Sequence, residues 1–205
     1  SDPINIIGPF DIECWLREYC EIHPMNYRYT HIRRKLEIND LLSSINISFT
    51  PVEVIHCINA YGFIFQHQSG WKIAHSGDTR PCNNLIREGH RANLLIHEAT
   101  LEDGMEKEAK KKAHCTIGEA IEVGRKMEAE YTMLSHFSQR YPKIPKLSSL
   151  GDKFGIAFDF MTLKFSWLPR LKYILPSIQT VIAQDEEIEV ENIVESSDEP
   201  VTKKK

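Results

Sequence analysis

Residues Trp71–Thr100 read WKIAHSGDTRPCNNLIREGHRANLLIHEAT, and this stretch decides the fold. It holds two short apolar runs, Trp71-Lys72-Ile73-Ala74 and Asn93-Leu94-Leu95-Ile96. The first leads into Ser76-Gly77-Asp78-Thr79 and the second into His97-Glu98-Ala99-Thr100. Short apolar runs that stop at a Gly, Asp or Thr turn suit central strands of an α/β protein. Strand tips are where such proteins place their sites. Asp78 is the pivotal residue. A carboxylate held by a Gly-containing turn can bind a cation through both oxygens. It can equally cap the turn that follows by accepting backbone hydrogen bonds. This segment alone leaves both readings open.

The flanking chain supports a sheet built around these tips. Thr50–Ile55 alternates as a strand and runs into His56-Cys57, and Tyr61–Phe65 is the next strand. Gln68-Ser69-Gly70 turns it back into Trp71, so these strands form a meander feeding Asp78. Upstream, Ile12, Trp15, Leu16, Tyr19 and Ile22 have helical spacing, which predicts an amphipathic helix over 10–22. His31–Lys35 is expected to be a solvated turn and Leu41-Leu42 an anchor. Downstream, LEDGMEKEAKKKAH (101–114) reads as a charged, exposed segment. Thr116-Ile-Gly-Glu119 is a capping box, followed by a helix with a buried stripe of Ile117, Ala120, Ile121, Gly124 and Met127. Tyr131–Leu134 is a further strand, ending in Ser135-His136-Phe137-Ser138. A Pro-punctuated loop, Tyr141–Pro145, and a last strand, Ile156–Leu163, complete the order, and no internal repeat is present.

Composition bounds the class. A 205-residue chain with 41% hydrophobic and 26% charged residues fits one globular domain with a substantial core. No apolar run approaches the length of a membrane span and no signal-peptide pattern is present, so an intracellular protein without membrane partners is expected. The five cysteines, Cys14, Cys20, Cys57, Cys82 and Cys115, form no CxxC pair, which predicts a reducing compartment. Eight acidic residues between Asp185 and Glu199 face only Lys203, Lys204 and Lys205, leaving 22 of 25 basic and 21 of 29 acidic residues before them. Residues 1–183 are therefore expected to be the folded domain, of near-neutral charge, and 184–205 a disordered charged tail. The Ser at position 1 suggests a fragment.

Three strand tips present His56, Asp78 and His136. A lone histidine beside an apolar strand is usually structural, but neutral imidazoles and a carboxylate at three tips suit zinc. A two-metal hydrolytic centre uses more ligands than these. None of the nine histidines forms an HxHxDH cluster.

HCINAYG, SGDTRPC, LLIHEATLEDG, AHCT and SHFSQRY occur in this order. Their combination resembles the C-terminal half of the long eukaryotic form of tRNase Z, a zinc phosphodiesterase of the metallo-β-lactamase superfamily. The likeness covers residues 51–160. It implies an α/β fold, half of an αββα four-layer sandwich. It further implies two Zn2+ ions whose site is completed by residues missing from this chain. His56 looks like a ligand to one ion, Asp78 like the carboxylate bridging both, and His136 like a ligand to the other. Glu98 and His114 look like the paired residues of the family's HEAT and HST loops, with His114 protonating the departing 3′ oxygen of precursor tRNA. Arg140 and Tyr141 sit just past a ligand, where a guanidinium can clamp phosphate; packing against the Pro142 loop is the other reading.

Two departures stand beside these residues. HST is His114-Cys115-Thr116 here, and the usual Asn before the last ligand is Ser135. The family's HxHxDH cluster and its tRNA-gripping arm lie upstream, and neither is in this chain. The upstream half of the same polypeptide is thus an expected partner, and nucleus or mitochondrion the expected location. The alternative is a non-catalytic half that binds RNA or pairs with another domain. A hydrolase of small esters is a third reading, against which the HEAT and AHCT motifs argue.

Overall fold

The computed structural model describes residues 2–138 and 151–173, which belong to two compact units. The first unit opens with strand β1 (Ile4–Gly8), helix α1 (Phe10–Ile22) and strand β2 (Tyr27–His31), with β1 and β2 paired in parallel. Helix α2 (Lys35–Leu42) follows, and then a sheet. Its strands β3 (Ile47–Glu53), β4 (Tyr61–His67) and β5 (Lys72–His75) form the expected antiparallel meander. Beyond β5 lie β6 (Leu94–Glu98) and β7 (Tyr131–Ser135), each parallel to its neighbour. Helix α3 (Asn83–Glu88) connects β5 to β6, while α4 (Glu106–Lys112) and α5 (Ile117–Lys126) connect β6 to β7.

Strand periodicity explains which layer covers which face. Val52, Ile64, Ala74 and Leu95 point to one side, where they pack with Leu85 of α3 and with Val123 and Met127. Phe49, Phe63 and Phe65 point to the other side, against Ile38 of α2. Full burial of a side chain such as Leu95 contributes about 1.5–3 kcal/mol. The apolar run of β6 is buried on both faces, as parallel central strands are. Two glycines make the close approach at the sheet's polar end. A Cβ on Gly62 would lie 2.7 Å from the carbonyl oxygens of His75 and Ser76. Gly77, at φ 58°, would place one 2.7 Å from the Tyr61 oxygen.

Helix α1, the meander and the capping box lie where the sequence puts them. Other elements differ. β3 starts at Ile47 and stops at Glu53, and Ile55 instead bridges Arg80. Ile32 is buried rather than part of a solvated turn, because the chain there passes from β2 into α2. The lysine-rich segment contains helix α4, with Ala109 buried. Val123 joins the buried stripe of α5 while Ile121 sits at its rim. In the second unit the strand β8 spans only Phe154–Ile156, and a left-handed residue, Phe160 at φ 61°, ends any extended run toward Leu163. The expected tail and the boundary at 183 lie outside the described residues. Among the described residues, no helix is long and apolar enough to cross a membrane.

Candidate metal and proton-transfer site

Asp78 follows β5 through the Gly77 turn, and its two carboxylate oxygens face two different imidazoles. Oδ2 lies 3.9 Å from His56 Nε2 and Oδ1 lies 3.5 Å from His136 Nδ1. Both separations exceed good hydrogen bonds. They approach the roughly 3.4 Å that two ligands keep when each sits about 2.1 Å from one tetrahedral ion. A carboxylate divided between two histidines is what a bridging ligand requires. The donor set of ring nitrogens and a carboxylate fits zinc. His56 Nδ1 is bonded to the Ala113 carbonyl at 3.0 Å, which leaves Nε2 toward Asp78 and fixes the ring as metal-binding histidines are fixed. His136 has φ 59°, a left-handed conformation that a non-glycine residue keeps at a local cost of about 1–3 kcal/mol.

Beside this cluster stands a buried acid–imidazole pair. Glu98, at the tip of β6, is 2% exposed. Its Oε1 accepts from the Thr79 N–H at 2.7 Å and lies 2.8 Å from His114 Nδ1. Its Oε2 accepts from the Thr100 hydroxyl at 2.6 Å, the Cys115 N–H at 3.1 Å and the Thr100 N–H at 3.2 Å. Burial pushes the Glu98 carboxyl up, but the hydrogen bonds from Thr100, Thr79, Cys115 and His114 outweigh it and hold the group below its ordinary value. Glu98 is therefore an ionised acceptor, so His114 Nδ1 donates to it. The other ring nitrogen, Nε2, is left as the one free to give a proton.

The sequence-predicted residues converge. His56, Asp78 and His114 have donor atoms within 4.8 Å of one another, as do Glu98, His114 and His136. The His114 ring lies 4.7 Å from that of His56 and 5.5 Å from that of His136, centroid to centroid. Arg140 and Tyr141 lie outside the described residues. Two residues that the sequence reading passed over also belong here. The Thr100 hydroxyl, besides its bond to Glu98, lies 2.8 Å from His136 Nδ1 and so joins the two halves of the site. Arg80 reaches the His114 carbonyl at 2.5 Å. Thr100 stands in the HEAT motif itself. Arg80 carries no local signal, since its partner Glu119 is 39 residues away.

A mixed sheet flanked by helices, with polar strand tips converging on a His/Asp cluster, is an α/β architecture with a candidate metal site. The family described as "Beta-lactamase superfamily domain" matches residues 7–137, and the chain belongs to that superfamily. Within it, the chain is 40% identical over 200 residues to zinc phosphodiesterase ELAC protein 2 of Macaca fascicularis, covering 89% of this chain and 24% of that protein. It is 37% identical over 204 residues to the mitochondrial ribonuclease Z of Drosophila melanogaster, covering 92% of this chain and 27% of that one. The crystal structure of a long-form RNase Z from yeast superposes with a TM-score of 0.74 at 28% identity, over 85% of this chain and 30% of that one. The chain thus spans about a quarter of the length of the curated relatives it matches.

Proposed function

We propose that this chain carries part of the active site of a zinc-dependent endoribonuclease that removes the 3′ trailer from precursor tRNA. The observation that carries the proposal is the Glu98–His114 pair, 2.8 Å apart, set beside an aspartate whose two oxygens face two histidines. The names of the relatives, a zinc phosphodiesterase and ribonucleases Z, supply the reaction class and the RNA substrate. In this reading His56, Asp78 and His136 would hold zinc, with Asp78 the carboxylate that two ions would share, and the bound metal would supply hydroxide at neutral pH by lowering the pKa of water toward about 7.

The chain's own residues then handle the leaving group. Phosphodiester hydrolysis forms a new P–O bond to the attacking oxygen and breaks the bond to the tRNA 3′ oxygen, which departs needing a proton. His114 Nε2 delivers it, while Glu98 holds Nδ1–H and stabilises the charged ring before transfer. Such acid catalysis contributes ~10²–10⁴-fold. Arg140 and Tyr141 belong to the same reading as phosphate-contacting residues, and the upstream half of the polypeptide as the source of the remaining ligands. The Drosophila relative's name favours a mitochondrial location, with the nucleus resting on resemblance alone.

A second reading makes His114 itself a ligand, favoured by the closeness of its donor atom to His56 and Asp78. One experiment separates the two. In the full-length zinc-loaded protein, His114→Ala is expected to slow precursor cleavage by ~10²-fold or more with zinc content intact. Asp78→Ala loses both activity and zinc. Zinc loss in His114→Ala would overturn the proton-donor role, and unchanged cleavage would overturn the site assignment.

A further inference from the structure

We infer that Arg80 is a positioning residue that locks the His114 loop to the Asp78 turn, setting the distance between the proton donor and the metal cluster; this rests on the proton-donor reading of His114. Arg80 lies two residues after Asp78. Its backbone N–H donates to the Ile55 carbonyl at 2.8 Å, one residue before His56. Ile55 N–H in turn donates to the Thr79 hydroxyl at 3.0 Å. The main chain at Arg80 is thereby tied to two of the three candidate ligands' loops.

The guanidinium ties in the His114 loop and the start of α5. Its Nη1 donates to the His114 carbonyl at 2.5 Å and to Glu119 Oε2 at 2.7 Å, while Nη2 bonds the other Glu119 oxygen. That is a fork on the carboxylate plus one arm on the backbone of the proton donor, a geometry that a guanidinium provides and an ammonium does not. Glu119 is itself fixed, because Oε2 also accepts from the Thr116 N–H at 3.0 Å in the capping box of α5. With the side chains of Arg80 and Glu119 only 18% and 23% exposed, the pair is partly shielded from water. It is worth more there than a surface ion pair.

The peptide units flanking His114 are held at four points: the Ala113 carbonyl by His56 Nδ1 at 3.0 Å, the His114 N–H by Ala109 at 2.9 Å, its carbonyl by Arg80, and the next N–H by Glu98 at 3.1 Å. The Ala109 contact lies within the same α4 turn, and Glu98 also holds the imidazole directly. Arg80 joins this loop to the Asp78 turn through a side chain touching neither substrate nor ring, and it adds a charged fork to the weaker tie from the Cys115 thiol to the Thr79 carbonyl at 3.0 Å. A displacement of about 1 Å at a reacting group can cost ~10²-fold in rate. Removing the tie should therefore act on chemistry and leave both the ligands and substrate affinity in place.

The test uses the full-length zinc-loaded protein with Arg80→Met, which keeps the aliphatic stem, and Arg80→Lys, which keeps charge without the fork. Cleavage of a precursor tRNA is measured beside hydrolysis of bis(p-nitrophenyl) phosphate, whose leaving group departs without a proton. His114→Ala is run in parallel. Arg80→Met is expected to lower kcat on precursor tRNA by ~10–100-fold, with KM and zinc content unchanged. The activated diester should lose less than about three-fold, and Arg80→Lys should be intermediate. Amide exchange at Cys115 and Thr116 should quicken in Arg80→Met. Added to His114→Ala, Arg80→Met should cost almost nothing more, because both act through one group. Equal losses on both substrates, lost zinc, or full additivity with His114→Ala would overturn the inference. Near-normal kcat beside a disabled His114→Ala overturns it alone, whereas an active His114→Ala overturns the proton-donor reading and this inference together.

Discussion

Replacing Glu98 with Gln keeps its shape and removes its charge, and the structure fixes what that does. The carboxylate serves two donors at Oε1, Thr79 N–H and His114 Nδ1, and three at Oε2, from Thr100 and Cys115. An amide offers one acceptor oxygen. Placing that oxygen toward Thr100 and Cys115 keeps three bonds and turns the NH2 toward Thr79 N–H, leaving a buried donor against a donor. The opposite orientation orphans the Thr100 and Cys115 N–H groups, since only the Thr100 hydroxyl can turn to accept, so the first prevails, at a cost of about 1–3 kcal/mol for one unsatisfied buried N–H. At His114 the ring must now accept at Nδ1 and loses its anionic partner. A hydrogen bond to a charged group is worth about 1.5–3 kcal/mol, which at roughly 1.4 kcal/mol per decade lowers the cleavage rate ~10–100-fold. Single-turnover cleavage, zinc content and urea midpoints against pH measure these effects.

The pH dependence has a definite sign. Glu98 titrates below its ordinary value in the folded state. Its contribution to stability is therefore complete above the unfolded value, near 4.3, and is lost as pH falls through the lower folded value. The stability gap between wild type and Glu98→Gln should be widest near neutrality and should close on acidification below about pH 4. A gap that stays constant from neutral to acidic pH, together with a near-normal rate, would refute the assignment of Glu98 as an ionised hub.

Two further outcomes follow from packing. Gly77→Ala strains a residue at φ 58° and drives a Cβ into the Tyr61 carbonyl at 2.7 Å. The Asp78 turn must shift, and zinc affinity and thermal midpoint should both fall; an unchanged midpoint would show that the turn yields freely. Alkylation of the native protein should modify exposed Cys57 and spare Cys82 and Cys115, both buried. Burial pushes the Cys115 thiol far above its ordinary value, and its Sγ donates to the Thr79 carbonyl at 3.0 Å. Mass spectrometry showing Cys115 labelled alongside Cys57 would contradict that packing.

The parts of the fold that were legible are those with short-range signatures. The meander shows as alternation closed by Gln68-Ser69-Gly70. The start of α5 shows as a capping box, and both its reciprocal bonds are present. The parallel pair β1 and β2 left no such mark. β2 is YRYTH, without an apolar run, and its partner lies across a 13-residue helix. Helix α4 was equally silent to periodicity, because it buries only Ala109; its acidic first turn and basic last turn suit the helix dipole instead.

The site divides along a different line. The candidate residues have distinctive side chains, and His56, Asp78, Glu98 and His136 stood out at strand tips, His114 in the AHCT motif. Strand alternation turns Glu98 toward Thr79 and His114, while His97, fully buried, has its pKa lowered by that burial. What the sequence could not show is how these groups are held. His56 is fixed by the carbonyl of Ala113, Glu98 by the N–H groups of Thr79, Thr100 and Cys115, and the His114 backbone by Arg80. Most of those partners are peptide groups, which every residue carries, so residue type alone says nothing of their role. The precision of the site therefore depends on backbone supplied by three loops converging at one end of the sheet. Substitutions such as Ser to Cys at position 115 leave the amide that binds Glu98 in place, and on this ground are compatible with an intact site.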